Sequence, residues 1–283
     1  MPSNLDQPAG ERPLSLLAAN LIVGLNAVVA MALGVGGGII MVPLLVFVAR
    51  MPIKRAAGTS LAVIVMVIAV GMVAQLVKAP EDIHWDVALL LTAGSLVGSF
   101  IGKWLNRVLP ENVFRYAFCA VLVVVSVRLL ELLPHSEPLL GETLDFAHAG
   151  SLAYLLAAGV AAGVASSLFG LGGGVVVIPA LAIGYSYFHD HFTATRATSV
   201  AMVLPTSLLG AILHWRAGNV DRSLVTRTVL VAVVGGVAGV LLAYVVPKDA
   251  LRYAFAVLMI LAAVRLATTR RSAKAGQGDS QIK

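Results

Sequence analysis

The chain has 283 residues, of which 59% are hydrophobic and only 12% charged, and its mean hydropathy is +0.93. A soluble domain carries about 25% charged residues, so a water-soluble globular class is excluded, and long apolar runs without alternation exclude a transmembrane β-barrel. The net charge of +6 comes from Lys and Arg in short loops between apolar runs, which speaks for membrane orientation and against a nucleic-acid partner.

In chain order, residues 1–13 are polar and read as a retained cytoplasmic tail, because the apolar run after them is too long for a signal-peptide core. That run is Leu14 to Leu33, interrupted by Asn20 and Asn26. A glycine-rich tip follows, Gly34-Val35-Gly36-Gly37-Gly38, and leads through Ile39-Ile40-Met41-Val42 to Pro43. The next run, Ile39 to Ala49, covers about half of a bilayer core of roughly 30 Å at about 1.5 Å per residue. A basic loop holds Arg50, Lys54 and Arg55. The third segment is Ala56 to Val77, and a mixed loop with Lys78, Glu81, Asp82 and Asp86 leads to the fourth, Val87 to Leu105. The fourth ends in a basic stretch with Lys103, Arg107 and Arg115, and the fifth runs from Val113 to Leu130. The chain's lone cysteine, Cys119, has no second cysteine to form a disulfide with and reads as a small packing residue. An acidic linker, Glu131 to Asp145, contains Pro134 and Pro138. Membrane repeat one is thus 14–133 and the linker proper 134–145.

The second half repeats this order over residues 146–268. Phe146 to Phe169 leads to Gly170-Leu171-Gly172-Gly173-Gly174 and on to Pro179. The short run Val175 to Ile183, an aromatic-polar loop from Tyr185 to His191, and the spans Ala197 to Trp215, Val229 to Val246 and Leu251 to Leu266 follow. A polar tail, 269–283, reads as cytoplasmic and disordered. Thr59-Ser60 matches Thr198-Ser199, and Arg115-Tyr116-Ala117-Phe118 matches Arg252-Tyr253-Ala254-Phe255. These shared landmarks mark an internal duplication. Five segments per half put the basic loops and both termini on one side and the acidic linker on the other, as the positive-inside rule asks. An odd count makes the halves inverted repeats. The expected fold is an all-α integral membrane protein with two inverted repeats of about five helical segments, each broken at a glycine-rich tip. It is expected in the cell (inner) membrane, with its tryptophans Trp85, Trp104 and Trp215 at the interfaces.

Three successive glycines are poor helix formers but let backbone N–H groups turn and stay uncovered. At the start of a helix such groups carry partial positive charge and suit an anion. Non-helical backbone within a membrane requires burial in protein or a cavity; close packing of helices on small residues is the alternative. The candidate substrate-binding residues are therefore Gly36, Gly37 and Gly38 with Gly172, Gly173 and Gly174. Thr59, Ser60, Thr198 and Ser199 are second-rank candidates, as ligands or as helix caps. Arg196, ahead of Thr198 as Arg55 is ahead of Thr59, offers a cation. Asn20 and Asn26 have no counterpart in half two and read as interhelical contacts. Gln75 and His214 hold matching places and read as interfacial. His189, Asp190 and His191 lack further ligands nearby, so no metal is expected. No Asp or Glu lies in the middle of any span, which argues against a cation substrate. No nucleophile–base pair and no phosphate-binding loop is present, so neither catalysis nor any cofactor is expected.

The paired tips at 34–43 and 170–179, with Ala-Gly-Thr-Ser at 57–60 and Ala-Thr-Ser at 197–199, resemble the sulfite exporter TauE/SafE family over nearly the whole span from Leu14 to Leu266. The resemblance implies a membrane permease for sulfite or organosulfonates, a small anionic substrate exchanged across the lipid bilayer. An intramembrane enzyme acting on sulfur species, or a membrane sensor or partner subunit, is the alternative. A homodimer is compatible with the sequence.

Overall fold

A computed structural model of the chain describes residues 15–110, 139–141 and 149–268, together with 113, 116, 119, 120, 123, 126 and 127. Those seven residues are helical and belong to the predicted fifth segment, Val113 to Leu130; the rest of that segment and most of the linker lie outside the described residues, as do both tails. Among the described residues there are only helices. In the first half these are α1 (Leu16–Leu33), α2 (Gly38–Phe47), α3 (Ile53–Lys78) and α4 (Trp85–Val108). In the second they are α5 (Ala149–Phe169), α6 (Gly174–Gly184), the single turn and a half α7 (Ser186–Asp190), α8 (Phe192–Arg216), α9 (Arg222–Val245) and α10 (Lys248–Thr268). Six of them, α1, α3, α4, α5, α8 and α9, are long and apolar enough to cross a membrane. The outward faces stay greasy: Leu21, Phe100, Leu230 and Val234 are exposed, as are Trp85, Trp104 and Trp215. This is an all-α integral membrane protein.

Local chemistry sets the helix limits. Ser15 caps α1, its hydroxyl accepting from Ala18 N–H at 3.2 Å, and Gly34, left-handed at φ 72°, ends the helix by donating its own N–H to Ala30 O. Asp221 caps α9 by accepting from Leu224 N–H at 3.0 Å. Both caps satisfy amides that the first turn leaves over. α8 begins at Phe192, five residues ahead of the predicted span, so Arg196 lies inside the helix and not in the loop before it.

The long helices pack in matched sets. α4 lies along α5 as α1 lies along α9, and α3 and α8 pack against each other at the centre. Small residues make these approaches close: a Cβ on Gly98 would strike Val160 O, and one on Gly163 would strike Ser95 O. Glycine at such points lets backbones touch where no hydrophobic force drives helices together.

The loops sort by charge. α3 has 26 residues and is about 39 Å long. At its start, Arg55 approaches Asp221 (3.7 Å), and Arg222 stacks on Trp215 at 4.4 Å. At its far end lie Lys78, Glu81, Asp82 and His84. There the His84 N–H donates to Thr198 Oγ1 (3.1 Å), and its ring packs edge-on to Tyr187 and Phe188. Linker residues Leu139 and Leu140 donate to the Ile183 and Gly184 carbonyls, at the end of α6.

Candidate functional site

The glycine tips are the breaks between α1 and α2 and between α5 and α6. Gly34, Gly36 and Gly37 have φ of 72°, 82° and 82°; Gly170, Gly172 and Gly173 have 77°, 87° and 92°. All six sit in the left-handed region, where an L side chain is strained and glycine is not. α2 and α6 each start behind a left-handed glycine, with no side-chain cap. Among the described residues no acceptor is found for the backbone N–H groups of Gly36, Gly37, Gly38 and Ile39, nor for those of Gly172, Gly173, Gly174 and Val175. Pro43 and Pro179 lie inside the short helices and deny Ile39 and Val175 carbonyls their usual donor four residues on.

The two tips touch each other. A Cβ on Gly38 would strike Gly170 O, and one on Gly174 would come within 2.6 Å of Gly34 O. A Cβ on Gly36 or on Gly172 would meet the other's Cα at 3.4 Å. The whole stretch is buried. Two sets of unpartnered amides therefore share one place, at the positive ends of two helix dipoles.

The hydroxyl pairs have defined partners. Ser60 donates to Gly170 O and Ser199 to Gly34 O, both at 2.9 Å. Thr59 accepts from Asp221 N–H at 2.9 Å, as Thr198 does from His84 N–H. Ser60 and Ser199 thus spend their only protons on the opposite tip, which leaves them acceptors alone.

Arg196 is buried to 1% exposure beside tip one, and a Cβ on Gly34 would meet its Cα at 3.0 Å. Its Nη1 donates to Met31 O (3.1 Å) and its Nη2 to Gln75 Oε1 (2.6 Å). The Tyr244 ring lies 5.3 Å from the guanidinium. Gln75 Nε2 donates to Tyr244 Oη, which donates to Asp82, each at 2.7 Å. Tyr244 thus stands between Asp82 and Arg196, and Nε of Arg196 has no partner. In half one the place against the opposite tip belongs to Ala57, packed on Gly170. Ala57, and not Arg55, is the positional counterpart of Arg196.

Sequence reasoning passed over several of these residues. Gln75 and His214, read as interfacial, are fully buried. His214 contacts Ser167 O at 2.8 Å. Their matched positions were the available signal. Ser207 is buried with an unpartnered hydroxyl 3.2 Å from where a Cβ on Gly172 would stand. Asn26 is fully buried, and neither atom of its amide has a partner. His191 stacks on Tyr187, and among the described residues no cluster of three or more His, Cys, Asp or Glu could hold a metal.

Six apolar spans around two broken, mutually touching helices define a multi-pass α-helical membrane protein. Residues 3–129 and 155–282 match the family described as "Sulfite exporter TauE/SafE". The chain belongs to that family and is a membrane transporter. It is similar to the probable membrane transporter protein YunE of Bacillus subtilis, 26% identical over 73% of this chain and 79% of the relative. It is similar also to the probable membrane transporter protein YdhB of the same organism, 25% identical over 83% and 93%. Sulfite exporter TauE/SafE family protein 5 of Arabidopsis thaliana is 30% identical over 44% of this chain and 28% of its own length. No solved structure matches the chain.

Proposed function

We propose that the protein is a secondary transporter that exports a small sulfur oxyanion, sulfite or an organosulfonate, from the cytoplasm across the inner membrane, and that it performs no catalysis. The observation that carries this reading is the meeting of the two glycine tips with their amides unpartnered. Buried N–H groups that lack acceptors cost free energy, and a bound anion removes that cost while placing its charge at two helix N-termini. Arg196 adds to the case: a buried guanidinium with no carboxylate in direct contact is expensive in a membrane and gains from an anionic guest. The names of the relatives supply the sulfur chemistry.

The halves act as inverted repeats that rock about the anion and expose it alternately. The tips touch, so their parting admits substrate. Supporting this are the matched packing of α1–α9 and α4–α5 and the crossed bonds from Ser60 and Ser199. The end holding Arg55, Arg216 and Arg222 faces the cytoplasm, with both termini. Thr59 and Thr198 flank the pathway, and a homodimer is the working assembly.

Flux of a panel of sulfur oxyanions from proteoliposomes tests the proposal. Wild type is expected to move sulfite or a sulfonate, and Gly37→Leu and Gly173→Leu to insert and move neither. Unchanged sulfite flux in both variants would overturn the site.

A further inference from the structure

Asn26 is the one polar side chain on α1 that faces tip one. Its Nδ2 and Oδ1 lie 2.7 and 2.9 Å from the point where a Cβ on Gly37 would stand. It is fully buried, and neither atom has a hydrogen-bond partner. A carboxamide buried without partners is costly, and a leucine would fill the place without that cost. In half two the backbone of Ala162 lies against Gly173 at the matching point, so the feature is not a requirement of the broken-helix fold. The side chain lies against Gly37, whose own N–H has no acceptor among the described residues.

The chemistry of the carboxamide differs from that of its surroundings. The N–H groups of Gly36, Gly37 and Gly38 and the guanidinium of Arg196 only donate. Asn26 presents a donor and an acceptor side by side. A fully deprotonated oxyanion accepts at every oxygen, so it would satisfy Nδ2 and leave Oδ1 facing a lone pair. An oxyanion that carries its own O–H or N–H satisfies both.

Resting on the anion-site reading above, we propose that Asn26 is a specificity-determining residue that selects monoanionic oxyanions bearing a hydrogen-bond donor, of which hydrogensulfite is the simplest. The amides and Arg196 neutralise charge and do not distinguish one small anion from another. Asn26 does, because its acceptor is left unpaired by a guest without a donor, and a site built around a polar group rejects analogues that leave it empty. Hydrogensulfite and methanesulfonate have the same charge and similar size; only the first carries a donor on its oxyanion head.

The test is equilibrium binding of sulfite and of methanesulfonate to the full chain in lipid nanodiscs. It is run at pH values on either side of sulfite's second ionisation, for wild type, Asn26→Leu, Asn26→Ala, Asn26→Ser and Gly37→Leu. Wild type is expected to prefer sulfite by about tenfold or more, with affinity following the protonated fraction. Asn26→Leu is expected to lose that preference, the two affinities coming together, and Asn26→Ser, which retains a donor and an acceptor, to restore part of it. A wild-type preference that survives intact in Asn26→Leu, or in Asn26→Ala should the leucine variant fail to insert, would overturn the role of Asn26. If Gly37→Leu still abolishes binding in that case, the anion site stands without it. Absence of binding of either anion to wild type would overturn both.

Discussion

Ser199 donates its hydroxyl proton to the carbonyl oxygen of Gly34, 165 positions earlier, at 2.9 Å. The same bond, at the same length, runs from Ser60 to Gly170. Each bond ties the central long helix of one half to the residue that ends the first helix of the other, so the tips are held against each other from both sides. Removing either hydroxyl leaves a buried carbonyl without a donor. Ser60→Ala and Ser199→Ala are each expected to lower stability by about 1 kcal/mol, read as a lower melting temperature in detergent. The double variant is expected to lose more than the sum, because the tips are then untied on both sides. Strict additivity would show that the two bonds act independently.

Contact between the tips predicts a second, steric sensitivity. Gly38 is helical, so alanine there meets no backbone strain; what it meets is Gly170 O. Gly38→Ala is expected to push the tips apart, with a loss of about 1–3 kcal/mol and loss of flux. Gly150, at the start of α5, has nothing within 4 Å of its Cβ position. Gly150→Ala is expected to stay within about 0.5 kcal/mol of wild type. Equal behaviour of the two variants in melting and flux assays would contradict the tip-to-tip contact.

The tips were legible because their conformation demands a residue type. Gly34, Gly36 and Gly37 sit at positive φ, and the chain advertises this as a glycine cluster repeated at Gly170, Gly172 and Gly173. Apolar run lengths likewise announced the long helices. Partners between distant segments were not legible. Thr59, Ser60, Thr198 and Ser199 stood out as a repeated motif, but nothing local could say that two of them donate to the opposite tip. Arg196 pairs with Arg55 if one asks only which basic residue precedes each Thr-Ser pair; packing pairs it with Ala57, which stands at the same spacing before Thr59, because both lie against the residue that ends the opposing helix. Asn26 looked like an ordinary interhelical amide, and only its lack of any partner sets it apart.

Arg196 should be sensitive in two separable ways. Its hydrogen bonds to Met31 O and Gln75, and the Tyr244 ring over it, fix its position. Tyr244→Phe keeps the ring and removes the hydroxyl that joins Gln75 to Asp82. It is expected to cost about 1–2 kcal/mol of stability and to leave anion binding measurable. Arg196→Lys keeps the charge but not the planar fork. It is expected to weaken anion binding by about tenfold or more with the protein still inserted. Arg196→Met should abolish binding. A methionine variant that binds and transports as wild type would remove Arg196 from the site.

Sidedness supplies the last prediction, and it does not depend on substrate. The approach of Arg55 to Asp221 gathers the loop before α3 and the loop before α9 at one end. The bonds and ring contacts of His84 gather the loop after α3 and the α7 region at the other, about 39 Å away along α3. Arg50 and Asp190 are exposed at these two ends. With Cys119 replaced by serine, single cysteines at Arg50 and Arg222 are expected to be protected from an impermeant thiol reagent in intact cells, since the basic end faces the cytoplasm. Cysteines at Asp190 and Glu81 are expected to react. Labelling of Arg50→Cys and Asp190→Cys from the same side would break the inverted arrangement of the halves, and with it the two-sided access on which the transport proposal depends.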